Sequence, residues 1–239
     1  MSAAAEARAH PTFPPLFRGM EAPAGLDPMR KAVAEAAIGT EAGLVVWRIA
    51  PERLEAALVL APEAPLERAV SVAFAAQLGL GDALGALGPP ELALHYDWPD
   101  GLVVNGARAG RFRMAAATDD PGAEPDWLVL GIEIGLGPGD AEPGLAPDRT
   151  SLLEEGCGDV TPERLLESWS RHMLVWINTW VEDGFAPLHE AWRGRARGLG
   201  ETGPDGRTFL GLDEHGGRLS RGADGATTLT PLTDRLEAA

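Results

Sequence analysis

Between residues 44 and 62 the chain is apolar almost throughout, reading LVVWRIA, then PER, then LEAALVLAP. Pro51 and Pro62 bracket the second run at strand length, so the pattern predicts two strands, 44–50 and 54–62, joined by a short turn. Before them the period changes. In residues 27–43 Met29, Val33, Ala36 and Ala37 share one helical face, Asp27 offers an N-cap, Pro28 opens the first turn and Gly39 a stop. Residues 65–87 resume helical spacing, with a break expected near Gly79–Gly81 because glycine weakens a helix interior.

Further strands are predicted at 92–98, 102–104 and 111–118, the last two joined across Asn105-Gly106, a strong hairpin signal. An apolar run at 127–136 reads as a central strand, and GPGDAEPGLAPDR (137–149) as loop. Thr161 and Pro162 then open a long amphipathic helix over 163–180. Trp169, His172, Met173, Trp176, Ile177 and Trp180 recur at three- and four-residue steps. That spacing makes them a core stripe, with His172 expected as a hydrogen-bonded core histidine. Gly184 ends this helix and Pro187 begins a shorter one to about Ala196. RTFLGLD, GRLSR and ATTLTPL in the tail read as short strands. The expected fold class is α+β: a mixed or antiparallel sheet packed with helices, plus a small C-terminal β module. Residues 1–24 are expected as a flexible leader, 25–197 as the main domain and 198–239 as the β module.

Charge narrows the function classes. The chain of 239 residues carries 36 acidic against 20 basic residues, a net −16. Such a field repels phosphate backbones, so nucleic-acid binding is not expected. No run approaches the roughly 18 apolar residues of a membrane span, and the N-terminus lacks a basic start and apolar core, so a cytoplasmic protein is expected. Lys31 is the only lysine. Cys157 is alone in an acidic, Gly-flanked loop with nothing to activate its thiol, and no histidines pair at metal-ligand spacing, so no metal site is expected. No G-x-S-x-G or phosphate-loop motif is present. Asp97, Asp100, Asp119, Asp120 and Asp126 read as solvated loop carboxylates.

One stretch carries more chemistry. LHYDWPDGLVVNGARAGRF (94–112) passes through an acidic Trp-Pro turn and re-enters a strand with Arg108 and Arg111 among small residues. Small residues let a ligand approach the backbone, and arginine matches carboxylate or phosphate oxygens. A plain hairpin with solvated arginines fits these features equally well.

The order of elements resembles the biotin/lipoate protein ligase family, particularly its biotin-protein-ligase branch, over roughly residues 25–215. In that family the Trp-Pro turn reads K-W-P-N-D, the hairpin return K-[LV]-[AG]-G-[IV], and the next strand G-[IV]-G-[IV]-N. Here they read DWPDG, RAGRF and GIEIG, with Trp98, Pro99, Gly110 and Gly131 in agreement. The tail is similar to the family's SH3-like C-terminal domain. The resemblance implies a class II synthetase-like fold and a protein that activates biotin or a lipoyl-type acid, lipoate or octanoate, with ATP and Mg²⁺. It implies transfer to a lysine of a biotinyl or lipoyl carrier domain, with no tightly bound cofactor. Arg108 stands in the place of the active-site lysine, and Arg48, Asp100, Arg111 and Glu133 join Trp98, Pro99, Gly110 and Gly131 as implied ligand-binding residues.

Departures from the family leave three readings. The Gly/Arg-rich loop G-R-G-R-x-G-R-x-W, which covers the acyl-adenylate, has only PER in its place. Arginine can hold a phosphate electrostatically but stays protonated and cannot act as a base. The chain is then a ligase or acyltransferase using Arg108, a ligase-like protein that binds a small carboxylate or a carrier domain without catalysis, or a structural or regulatory interaction protein using its acidic surface and β tail.

Overall fold

The computed structural model describes residues 10–137 and 148–238. Most of the expected 137–149 loop, and the first nine residues of the expected leader, lie outside these. A seven-stranded mixed sheet is built from β1 (Arg18–Glu21), β2 (Leu44–Ala50), β3 (Arg53–Leu60), β4 (Leu94–Asp97), β5 (Gly101–Val104), β6 (Ala107–Ala116) and β7 (Leu128–Gly135). Its spatial order is β1-β2-β3-β7-β6-β5-β4. Only β1 pairs in parallel, with β2; every other pairing is antiparallel. The stretch expected as a leader thus supplies an edge strand, whose backbone pairing no sequence pattern announced. Gly19 permits it, since a Cβ there would lie 2.3 Å from the Phe13 ring.

Each face of the sheet takes different cover. α1 (Pro28–Ala37), capped by the Asp27 side chain, lays Met29, Ala32 and Ala36 on Val46, Ala57, Val59 and Val129. The opposite face, with Leu54, Leu58, Phe112, Leu130 and Ile132, is covered by α2 (Leu66–Ala69), α3 (Ala73–Leu87), α4 (Pro162–Asp183) and α5 (Ala186–Arg193). The helical stretch Leu66–Leu87 is long and apolar enough to cross a membrane by composition, contrary to the sequence expectation, but most of it is buried in this core.

No break occurs at Gly79–Gly81; α3 runs through both glycines, and the irregularity falls earlier, in a 3₁₀ turn at Val70–Val72. The glycines serve packing instead. A Cβ at Gly79 would meet the Met173 backbone at 2.6 Å, and one at Gly81 the Tyr96 hydroxyl at 2.1 Å. Four indole N–H groups tie α4 and α5 to the helical stretch beneath them: Trp169 donates to the Ala76 carbonyl at 3.0 Å, Trp176 to Asp82 at 2.8 Å, Trp180 to Ser71 at 2.8 Å and Trp192 to Gln77 at 2.7 Å. The tryptophan stripe is therefore core, each buried indole having the partner it requires. His172 is half-buried at the edge of that stripe and not in the core as expected.

The tail forms a three-stranded antiparallel sheet, β8 (Thr208–Leu212), β9 (Arg218–Arg221) and β10 (Thr227–Thr230). It sits against the main body through Phe209, Leu212 and Leu232, which join the same core as Phe74.

Candidate functional site

On the α1 side of the sheet, strand alternation sends every second residue outward, and register then aligns them across strands. One row is Val46, Ala57, Gly131 and Arg113, covered by the first turn of α1. The next row is entirely charged: Arg48 opposite Glu55, Glu55 opposite Glu133, and Glu133 opposite Arg111. Glu55 and Glu133 would repel as direct neighbours. Arginines on either side offset this. Arg48 forks onto Glu55 through Nε at 3.0 Å and Nη2. Glu133 accepts from Arg111 at 2.6 Å and 2.7 Å and lies 2.7 Å from Arg53.

At the β6 end of this face a cavity of about 220 Å³ opens, lined among others by Pro99, Asp100, Arg111, Arg113, Arg235 and Glu237. Its floor is β6, where the alternation Arg111-Phe112-Arg113 places both arginines on one side and Phe112 in the core. Its walls are the Trp-Pro turn and the C-terminal segment. The Trp98–Pro99 peptide is cis. The turn is held from beneath by Gln77, which donates to the Pro99 carbonyl at 2.9 Å, and from the side by Trp98 Nε1, which donates to the Gly216 carbonyl at 2.9 Å.

Arg113 is the most enclosed of these arginines, its side chain 14% exposed. It forks onto Glu237 through two bonds of 2.7 Å and also pairs with Asp27 at 2.9 Å. Glu237, with Asp27, holds its guanidinium above arginine's ordinary pKa against the opposing effect of burial.

The residues expected from sequence are thus distributed unevenly. Pro99, Asp100 and Arg111 line the cavity, while Trp98 bonds Gly216 and lies under Arg235. Arg108 stands at its edge, paired with Asp100 at 2.8 Å, and its backbone exchanges bonds with Asp148 and Thr150. Asp100 is therefore an ion-pair partner, and Asp97 likewise takes a bidentate pair from Arg197 at 2.8 Å; neither is the bare loop carboxylate expected. Gly110 and Gly131 act through close packing: a Cβ would sit 2.5 Å from the Glu133 carbonyl oxygen at Gly110, and 3.0 Å from Met29 Sδ at Gly131. Arg48 and Glu133 belong to the charged row. The sequence reading missed Arg113, Arg235 and Glu237. Only the R-x-R alternation hinted at Arg113, while the other two reach the site through tertiary contact.

Cys157 is buried, and desolvation with nearby Glu155 pushes its thiol pKa up, as an inert cysteine requires. Among the described residues no group of three His, Cys, Asp or Glu side chains could hold a metal ion.

Comparison with known proteins places this geometry. The model of the biotin/lipoate A/B protein ligase family matches residues 13–194. The chain belongs to that family. A biotin–[acetyl-CoA-carboxylase] ligase of Paracoccus denitrificans is 29% identical over 188 residues, covering 75% of this chain and 78% of the ligase. Among solved structures, a biotin protein ligase-like protein of unknown function from Silicibacter sp. TM1040 is 48% identical. It superposes with a TM-score of 0.90 over 95% of this chain and 100% of its own. The apo biotin protein ligase of Aquifex aeolicus shares the fold, with a TM-score of 0.69 over 90% of this chain and 94% of its own, at 16% identity. This family member therefore presents a ligase fold whose sheet face carries ion pairs.

Proposed function

We propose that this protein uses the ligase scaffold to bind a small carboxylate-bearing molecule and does not form an acyl-adenylate. One observation carries the reading: the Arg111–Glu133 pair. In the patterns K-[LV]-[AG]-G-[IV] and G-[IV]-G-[IV]-N both residues stand at glycine places. Glycine leaves the backbone open to a ligand. Here two long side chains lie across β6 and β7 instead, and Arg53 closes over Glu133.

Two further features support it. β2 and β3 are joined by a tight turn, with Ala50 opposite Arg53, where the family pattern has its Gly/Arg-rich loop. The cavity of about 220 Å³ falls below the roughly 300–1,000 Å³ typical of sites that enclose drug-sized ligands. The described residues around this cavity therefore do not fit ATP with Mg²⁺ together with biotin or lipoate, and they suit one small acid. A biotinyl or lipoyl carrier domain is not required by this reading.

The test is ATP–pyrophosphate exchange with Mg²⁺ and biotin, lipoate or octanoate. No acid-dependent exchange is expected, while calorimetry with carboxylic acids gives saturable heat. Acid-dependent exchange overturns the proposal. It would favour the second reading, acyl transfer onto a carrier lysine with Arg108 in the lysine's place, which the similarity to the Paracoccus ligase supports. Labelling of a biotinyl or lipoyl carrier domain would establish that reading.

A further inference from the structure

Resting on the binding reading above, we propose that Arg235 is the residue that recognises the ligand's carboxylate, which makes the C-terminal segment part of the site. Of the three arginines lining the cavity, Arg111 is held by Glu133, and Arg113 by Asp27 and Glu237. Arg235 has no carboxylate within ion-pair distance among the described residues. Arg235 lines the cavity, and its guanidinium lies 5.1 Å from the Trp98 ring centroid. Stacking on an aromatic face restrains the side chain while leaving its N–H donors free to fork onto a carboxylate.

Charge balance points to the same residue. Among the residues lining the cavity, Arg111, Arg113 and Arg235 stand against Asp100 and Glu237, so arginines outnumber carboxylates by one. This local excess is positive in a chain of net charge −16. One uncompensated positive charge matches a singly charged carboxylate, whereas a phosphate monoester carries nearly two negative charges at neutral pH.

The placement of Arg235 is built in. Leu232, three residues earlier, is 3% exposed in the core. The Glu237 amide, two residues later, donates to the Met114 carbonyl on β6 at 2.7 Å, and its carboxylate forks onto Arg113. Trp98, beneath Arg235, is bonded to Gly216 in the turn between β8 and β9. The Trp-Pro turn and the C-terminal segment therefore position each other.

The experiment is calorimetric titration of the full chain with straight-chain monocarboxylates from acetate to octanoate, and with inorganic phosphate. Wild type is expected to bind at least one monocarboxylate. Arg235→Gln is expected to weaken that binding roughly ten-fold or more, the scale of a lost charge-assisted bond. Arg235→Lys, which retains charge without the fork, should fall between them. Arg221→Gln, an exposed β9 substitution away from the cavity, should match wild type. Equal binding by wild type and Arg235→Gln overturns the role of Arg235 while leaving the binding reading intact. Tighter binding of phosphate than of any monocarboxylate overturns the ligand class, and no binding by wild type overturns both proposals.

Discussion

Alanine at Gly79 gives the sharpest check on how the helices meet. In an exposed helix interior glycine costs roughly 1 kcal/mol relative to alanine, so Gly→Ala ordinarily stabilises. At Gly79 the new Cβ would lie 2.6 Å from the Met173 amide nitrogen, 2.8 Å from its Cα and 3.0 Å from its Cβ. Two of these three atoms are backbone of α4 and cannot rotate away, so the helices must separate by several tenths of an ångström. Overpacking of this kind costs roughly 1–3 kcal/mol. Set against the propensity gain, the expected net effect is a loss of up to about 2 kcal/mol. Gly85, in the same helix, supplies the control, because a Cβ there meets nothing within 4 Å. Gly85→Ala should stabilise by roughly 0.5–1 kcal/mol. Urea unfolding followed by far-UV circular dichroism measures both. If Gly79→Ala proves as stable as Gly85→Ala, the close approach of α3 and α4 is wrong. The shift should also reach the site, since α3 carries Gln77, which holds the Pro99 carbonyl.

Other perturbations address the buried polar groups. Tyr96 is the only tyrosine, and burial pushes its phenol from 10.0 up to about 12. Its tyrosinate absorbance should therefore titrate near 12, and its stability contribution, complete below about pH 10, should fade as the pH rises through 12; a midpoint near 10 in folded protein refutes this. Burial, aided by Arg193, lowers the His189 pKa below its ordinary 6.5. Its stabilisation is present above that value and lost as pH falls, so His189→Gln should flatten the decline in unfolding free energy between about pH 7 and 5. Gln77→Leu removes the acceptor of Trp192 Nε1 and the donor to the Pro99 carbonyl. At roughly 1–3 kcal/mol for each of the two groups left unsatisfied, a loss of about 2–6 kcal/mol is expected in urea melts, and a loss under 1 kcal/mol would contradict the network.

Local chemistry was enough to read much of this protein. The proline-bracketed apolar strands, the Asp27-Pro28 and Thr161-Pro162 helix starts, the Asn105-Gly106 turn and the tryptophan stripe are properties of a few neighbouring residues, and each appears in the structure. Their order, with the DWPDG, RAGRF and GIEIG motifs, also sufficed to indicate the family. What the sequence could not provide was pairing at a distance. β1 is held by its backbone hydrogen bonds to β2 and buries almost no side chains, so its pattern carries no period. Gly79 and Gly81 look like helix breakers until Met173 and Tyr96 arrive to fill the space they leave. Glu133 is read from sequence as an implied ligand contact, and only β-sheet register and packing bring Arg111 and Arg53 beside it. The cavity itself is composed of a strand, a turn and a segment more than a hundred residues away, so Arg235 and Glu237 have no local signature at all. A side chain's conformational preference is local and visible in its neighbours. Its electrostatic partner is chosen by the packing of the whole chain, which only the tertiary structure decides.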